Sequence, residues 1–242
     1  MAFSYKIIEE QKSLLQLPEN ELAELKKMFL QMHNNDIDSQ AHRIYLFLKR
    51  ALDIIFSGLF IGLFFIWIFP IVAILIKLSS QGPIFFLQKR TGLNGKDFLC
   101  YKFRSMVVNK TSDTEQAIEN DVRITAIGKF LRISHLDETP QFLNIFLGDM
   151  SLVGPRPHMI YHTEMFAEKI PYFNLRHKTA PGLTGMAQIK GYKGEINTER
   201  DIVKRVQWDI YYLNHQNIGL DIRILVTTVG QVLGQIFQFR KA

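Results

Sequence analysis

Apolar positions along this chain follow more than one period. The most conspicuous is an unbroken run, Ile54 to Ile76, of 23 residues without a charge. A helix of that length covers roughly 35 Å, enough to cross the hydrocarbon core of a bilayer. Pro70 lies inside it. Proline lacks an N–H and its ring collides with the carbonyl one turn back, so a helix here should bend or break. Arg43, Lys49 and Arg50 precede the run, and Lys77, Lys89, Arg90 and Lys96 follow it. Lys and Arg are enriched on cytoplasmic flanks. A single spanning helix and a helix that dips in, bends and returns both satisfy the length. Basic residues on both flanks, with Pro70 as the membrane hinge, favour the re-entrant form.

Elsewhere the periods are shorter. Leu22, Leu25, Phe29 and Met32 predict an amphipathic helix over 18–32, facing either a membrane or a partner, and the polar stretch 33–40 reads as a linker. PIFFLQKR (83–90) and KDFLCYKF (96–103) predict two short strands, with Asn94-Gly95 between them as a hairpin signal. Residues 109–121 are polar and predict a loop. From 127 to 147 two helical periods follow, Ile127, Phe130 and Leu131, then Phe142, Leu143 and Phe146. Pro140 suits the first turn of the second helix, with Asp137 and Glu138 near its N-terminus. GPRP (154–157) excludes regular helix or central strand, and PGLTG (181–185) predicts a fixed turn. The stretch from Ile218 to Phe237 is apolar on one face, and the tail FQFRKA suits a membrane interface. Gly230 and Gly234 in that stretch read as a chance small-xxx-small pair.

The pattern predicts an α+β fold. It divides into an N-terminal amphipathic extension (1–45), a re-entrant membrane helix (46–78), and a mainly helical cytoplasmic domain (79–242) with a small β-hairpin and interfacial helices. Composition narrows the partners. The net charge is +6 and Cys100 is the only cysteine, so no intramolecular disulfide can form. Nucleic acid, anionic lipid and a phosphate-rich substrate all suit that charge. The long apolar run and the lack of a recognised binding motif count against nucleic acid.

The candidate chemistry centres on Asp137 and Glu138. Adjacent carboxylates alone are a weak signal, but Arg123, Lys129, Arg132 and His135 lie just upstream and Arg156 sits between two prolines. Lys102 and Arg104 close the second predicted strand. A rigidly placed Arg suits a diphosphate, whose oxygens it binds bidentately.

KRALD (49–53), SSQGPIFFLQKRTGLNGKDF (79–98), YKFRSM (101–106), DVRITAIGKFLRISHLDETPQFLNIFLGDMSLVGPRP (121–157) and APGLTGMAQIKGY (180–192) together resemble the bacterial sugar transferases called monotopic phosphoglycosyl transferases. The resemblance covers roughly residues 47 to 229. It implies that Asp137 attacks the β-phosphorus of a UDP-sugar and expels UMP, leaving a covalent aspartyl phosphosugar. Polyprenyl (undecaprenyl) phosphate then takes the group, the first membrane step of exopolysaccharide or O-antigen-type synthesis. It implies Mg²⁺ on Glu138 and phosphate contacts from Lys102, Arg132 and Arg156; Arg104, at the end of the strand that carries Lys102, is a further phosphate-binding candidate. It places the protein at the bacterial inner membrane, with the catalytic domain on the cytoplasmic face. Oligomeric state stays open, a homodimer included. Thr139 and His135 stand where relatives commonly carry Leu and Ser, and His135 reads as a packing or surface histidine.

The chemistry is physically reasonable. A carboxylate approaching a diphosphate meets like charge, about 4 kcal/mol per unit pair at 4 Å and a dielectric near 20. Fixed cations and a metal offset that. Two rivals share parts of the pattern: a non-catalytic lipid-binding adaptor, and a membrane phosphohydrolase using the same aspartate.

Overall fold

The computed structural model describes residues 40–109, 118, 121–170, 172–194, 196 and 198–239. The amphipathic segment at 18–32, the linker before Gln40, most of the polar loop at 110–120 and the tail beyond 239 lie outside them. Helix α1 (Gln40–Trp67) begins before the expected boundary at residue 46 and runs on into α2 (Phe69–Ser79). Among the described residues no single helix is long and apolar enough to cross a membrane, but Gln40–Phe64 and Phe69–Ser79 pass together, bent by 65°. The bend falls in the turn before Pro70, which occupies the first turn of α2. That is where a proline ring clashes with the backbone.

The bend is packed against the rest of the chain. Phe69 stacks on Phe85 and Phe103 at ring distances of 5.6 and 5.9 Å, and Phe60 stacks on Phe142 at 3.8 Å. One face of α2 buries Val72, Ala73 and Ile76, while Ile71, Ile74 and Leu78 stay exposed. On α1 the exposed face carries Phe47, Leu59, Leu63 and Trp67. Polar residues at the start of α1 dock it. Lys49 pairs with Asp221 at 2.9 Å, and Asp53 accepts from the Leu152 amide at 2.8 Å. Arg50 donates to the carbonyls of Ile145 and Phe146 at 2.6 and 2.8 Å, capping orphan acceptors at a helix end.

Strands β1 (Phe85–Thr91) and β2 (Asp97–Phe103) form the expected antiparallel hairpin, with Gln88 opposite Cys100. Asn94 (φ 54°) and Gly95 (φ 76°) both take positive φ, the conformation a tight primed turn requires. Helix α3 (Ala126–Ile133) starts where the Thr125 hydroxyl accepts from the Gly128 amide at 2.9 Å. A 3₁₀ turn (Leu136–Glu138) leads to α4 (Gln141–Leu147), with Pro140 at its N-cap. Then come β3 (Ser151–Val153), α5 (Ile160–Lys169), a 3₁₀ stretch (Phe173–Lys178), β4 (Gly182–Thr184), α6 (Met186–Ile189), α7 (Glu199–His215) and α8 (Ile218–Phe239).

The expectation of a turn at PGLTG is corrected. Its centre is strand β4, which pairs in parallel with β3. The strands approach so closely that a Cβ on Gly182 would overlap the Gly154 amide nitrogen. Only glycine permits that contact, and no local periodicity reveals it. Gly182→Ala is expected to destabilise the fold by about 3 kcal/mol or more. A midpoint in chemical denaturation equal to wild type would contradict this.

Candidate active site

The 3₁₀ turn carries both carboxylates. Asp137 is buried, and Glu138 faces two cations. Lys102 on β2 donates to Glu138 Oε1 at 2.7 Å. Arg156 Nη2 donates to the same oxygen at 2.5 Å, and its Nη1 donates to Oε2 at 3.1 Å. Lys102, Arg156 and the two carboxylates, far apart in sequence, therefore meet at one point.

Arg156 is placed by an unusual device. The loop Gly154–Pro157 has two prolines and few donors, so its carbonyls do the anchoring. Pro155 O accepts from the Gly182 amide at 2.9 Å, and Arg156 O from Arg176 Nη2 at 2.7 Å. Pro157 O accepts from Arg90 Nη1 at 2.8 Å, and His158 O from the Thr91 amide at 3.1 Å. Arg176 is itself fixed by Asp209 at 2.7 Å, both side chains being fully buried.

The two carboxylates are driven apart in acidity. Burial, with the neighbouring Glu138 charge, pushes Asp137 up to about 6, against the pull of Lys102, Arg132 and Arg156. Burial would raise Glu138 too, but Arg156 and Lys102 overwhelm it and hold Glu138 well below the usual range. Glu138 is thus ionised and clamped. Asp137 is a carboxylate made unstable by its surroundings, which favours reaction with an electrophile.

Both residues line a cleft of about 480 Å³. Eight cations border it: Arg90, Lys102, Arg104, Arg123, Arg132, Arg156, Lys193 and Arg205. Against Asp137 and Glu138 this is a large positive excess, which calls for a polyanionic ligand. Arg132 donates through Nε to the Ser105 hydroxyl at 2.8 Å. Arg104 does not join the carboxylates. Its Nη2 donates to Ser80 O at 2.6 Å and Ile76 O at 3.3 Å, closing the carbonyl end of α2. A guanidinium beside orphan carbonyls serves as a helix cap through Nη2, and Arg104 also lines the cleft.

Sequence reasoning missed Arg90, Arg176, Asp209 and Arg205. Arg205 Nη2 holds the Gly194 carbonyl at 2.8 Å, and with it the loop bearing Lys193. Buried His158 lies between Arg176 and Arg205, and burial plus those charges keep its imidazole well below the ordinary value, hence neutral.

For a metal, no group of three His, Cys, Asp or Glu side chains is present among the described residues. Glu138 Oε1 already accepts twice, whereas Oε2 accepts once and keeps a lone pair. With Asp137 beside it, this donor set fits an ion completed by substrate phosphates.

The family model described as bacterial sugar transferase matches residues 44–235. The chain is 44% identical over 196 residues to a UDP-glucose:undecaprenyl-phosphate glucose-1-phosphate transferase of Klebsiella pneumoniae, covering 79% of this chain and 41% of that protein. It is 38% identical over 208 residues to a UDP-N-acetylgalactosamine-undecaprenyl-phosphate N-acetylgalactosaminephosphotransferase of Aeromonas hydrophila, covering 84% and 48%. It is 43% identical over 189 residues to the exopolysaccharide production protein PSS of Rhizobium leguminosarum bv. phaseoli, covering 76% and 94%. The chain thus spans less than half the length of the first two relatives.

Proposed function

The chain belongs to the bacterial sugar transferase family, and on that premise we propose that it transfers a sugar-1-phosphate from a UDP-sugar to undecaprenyl phosphate. One observation carries this reading: a buried carboxylate of raised pKa beside a cation-clamped one, at a cleft with excess positive charge. An Asp137 oxygen attacks the β-phosphorus. The bond from that phosphorus to the bridging oxygen breaks, and UMP leaves with the electron pair. The sugar phosphate now sits on Asp137 as an acyl phosphate. An oxygen of the lipid phosphate attacks the same phosphorus and Asp137 is released. Covalent transfer lets two unlike substrates use one cleft in turn.

Arg156, Lys102 and Arg132 neutralise the phosphates, and the Glu138 clamp keeps the first two in place. Mg²⁺, held by Glu138 and the substrate phosphates, would stabilise charge on the leaving group. The bent α1–α2 pair and its exposed apolar face support a re-entrant segment, with both ends on the cytoplasmic side of the inner membrane. The exposed stripe Ile222, Val226, Val229, Leu233 and Phe237 on α8 suits the interface plane.

The test is UMP release from UDP-sugars, UDP-glucose first, with and without polyprenyl phosphate. Without lipid, about one equivalent per enzyme should appear in a burst; with lipid, release should continue. Sustained release without lipid would make the protein a hydrolase instead. The burst rate should also fall on acidification. The attacking group must be ionised, and its pKa is raised to about 6, so the rate should be level above that pH and drop about tenfold per unit below it. A rate unchanged down to pH 5 would show that burial does not hold the Asp137 carboxyl up in the working site.

A further inference from the structure

His135 enters the carboxylate turn two residues before Asp137, and its backbone is left-handed (φ 56°, ψ 14°). Among the described residues only Asn94 shares a positive φ without being glycine, and Asn94 sits in a turn that demands it. A left-handed conformation costs a residue with a Cβ on the order of 1 kcal/mol. His135 follows the C-cap of α3, where its amide donates to Arg132 O at 3.2 Å, the left-handed helix stop that glycine most often takes.

The contact at hand is remote. His135 Nε2 lies 3.0 Å from Gln235 Oε1, one hundred positions along the chain. The amide oxygen can only accept, so the ring donates. Gln235 belongs to α8, which is anchored elsewhere. Asp221 binds Lys49, Thr228 Oγ1 meets Thr184 Oγ1 at 2.6 Å, and Gln231 donates to Ile189 O at 3.0 Å. The helix is therefore a strut, seated on the β3–β4 pair at one end and touching the carboxylate turn at the other. Neither His135 nor Gln235 lines the cleft.

We propose that Gln235 is a positioning residue: through His135 it fixes the turn that presents Asp137, so the C-terminal helix sets the aim of the attacking carboxylate. The proposal rests on the reading of Asp137 as nucleophile. It predicts an effect on the rate of attack, not on the capture of UDP-sugar.

The experiment uses the full chain in detergent with UDP-glucose and Mg²⁺, following single-turnover UMP release. Gln235→Ala and His135→Gly should each slow the step about fivefold to tenfold, the size expected from loss of one partly buried hydrogen bond. The KM for UDP-glucose should stay at the wild-type value. The double variant should be no slower than the slower single variant, because both remove one contact. Gln235→Glu keeps an acceptor oxygen and should retain the rate. His135→Gly should not melt lower than wild type, since glycine adopts this φ freely; a slowed but undamaged protein separates positioning from a general packing role. Wild-type rates in Gln235→Ala, additive losses, or a change in KM alone would overturn the proposal. Asp137→Asn runs alongside. If it still releases UMP, the covalent reading fails; if it is inert while Gln235→Ala is fully active, only the positioning role fails.

Discussion

Asp137→Asn is expected to give a protein that melts higher than wild type and does not turn over. The loss of activity follows from the chemistry: an amide oxygen cannot form the acyl phosphate, so UMP release should fall by at least about a thousandfold. The gain in stability follows from the burial. The Asp137 carboxyl titrates near 6 in the folded chain, against 3.8 in an exposed one. The folded state therefore holds this proton more tightly than the unfolded state. Above pH 6 the ionised group destabilises the fold by roughly 3 kcal/mol, and the penalty fades between pH 6 and about 4. Asparagine has the same shape without the charge. The melting advantage should thus be several degrees at pH 7.5 and close to nil near pH 4. A variant that melts lower at pH 7.5, or whose advantage grows on acidification, would contradict the buried-charge account.

Arg176→Ala should damage stability and site together. Arg176 and Asp209 form a buried pair, with Arg176 Nε and Nη2 at 2.9 and 2.7 Å from Asp209 Oδ2. Removing one partner strands the other, at a cost of about 3–5 kcal/mol. Burial already raises the Asp209 pKa, and without Arg176 it should rise further. The deficit should therefore shrink as the pH falls and Asp209 protonates. The same arginine holds the Arg156 carbonyl. Its loss frees one of four anchors on the proline loop, and binding of UDP-sugar should weaken at least about tenfold. Arg176→Met combined with Asp209→Leu separates the effects. Two apolar partners of similar volume should restore much of the stability and none of the binding. Recovery of both would show that Arg176 serves the core alone.

The surroundings of Arg156 also show where sequence reasoning reaches its limit. Its position between prolines marks it as a rigid arginine, and that rigidity depends on donors from Gly182, Arg176, Arg90 and Thr91, scattered along the chain. His135 likewise reads as an incidental histidine until Gln235 is found beside it.

What the sequence alone determined was whatever a few neighbouring residues decide. The hairpin follows from Asn94-Gly95, the kink from Pro70, the paired helices from their apolar periods, and the candidate site from adjacent carboxylates among cations. Each is a local rule of sterics, missing donors or periodicity. Only the tertiary structure decided that PGLTG is a strand, that Arg104 caps a helix, and that Arg90, Lys193 and Arg205 border the cleft. Those outcomes depend on which distant backbone comes within contact of which side chain. Close approach, burial and charge pairing are set by separation in space, and one-dimensional spacing does not encode it.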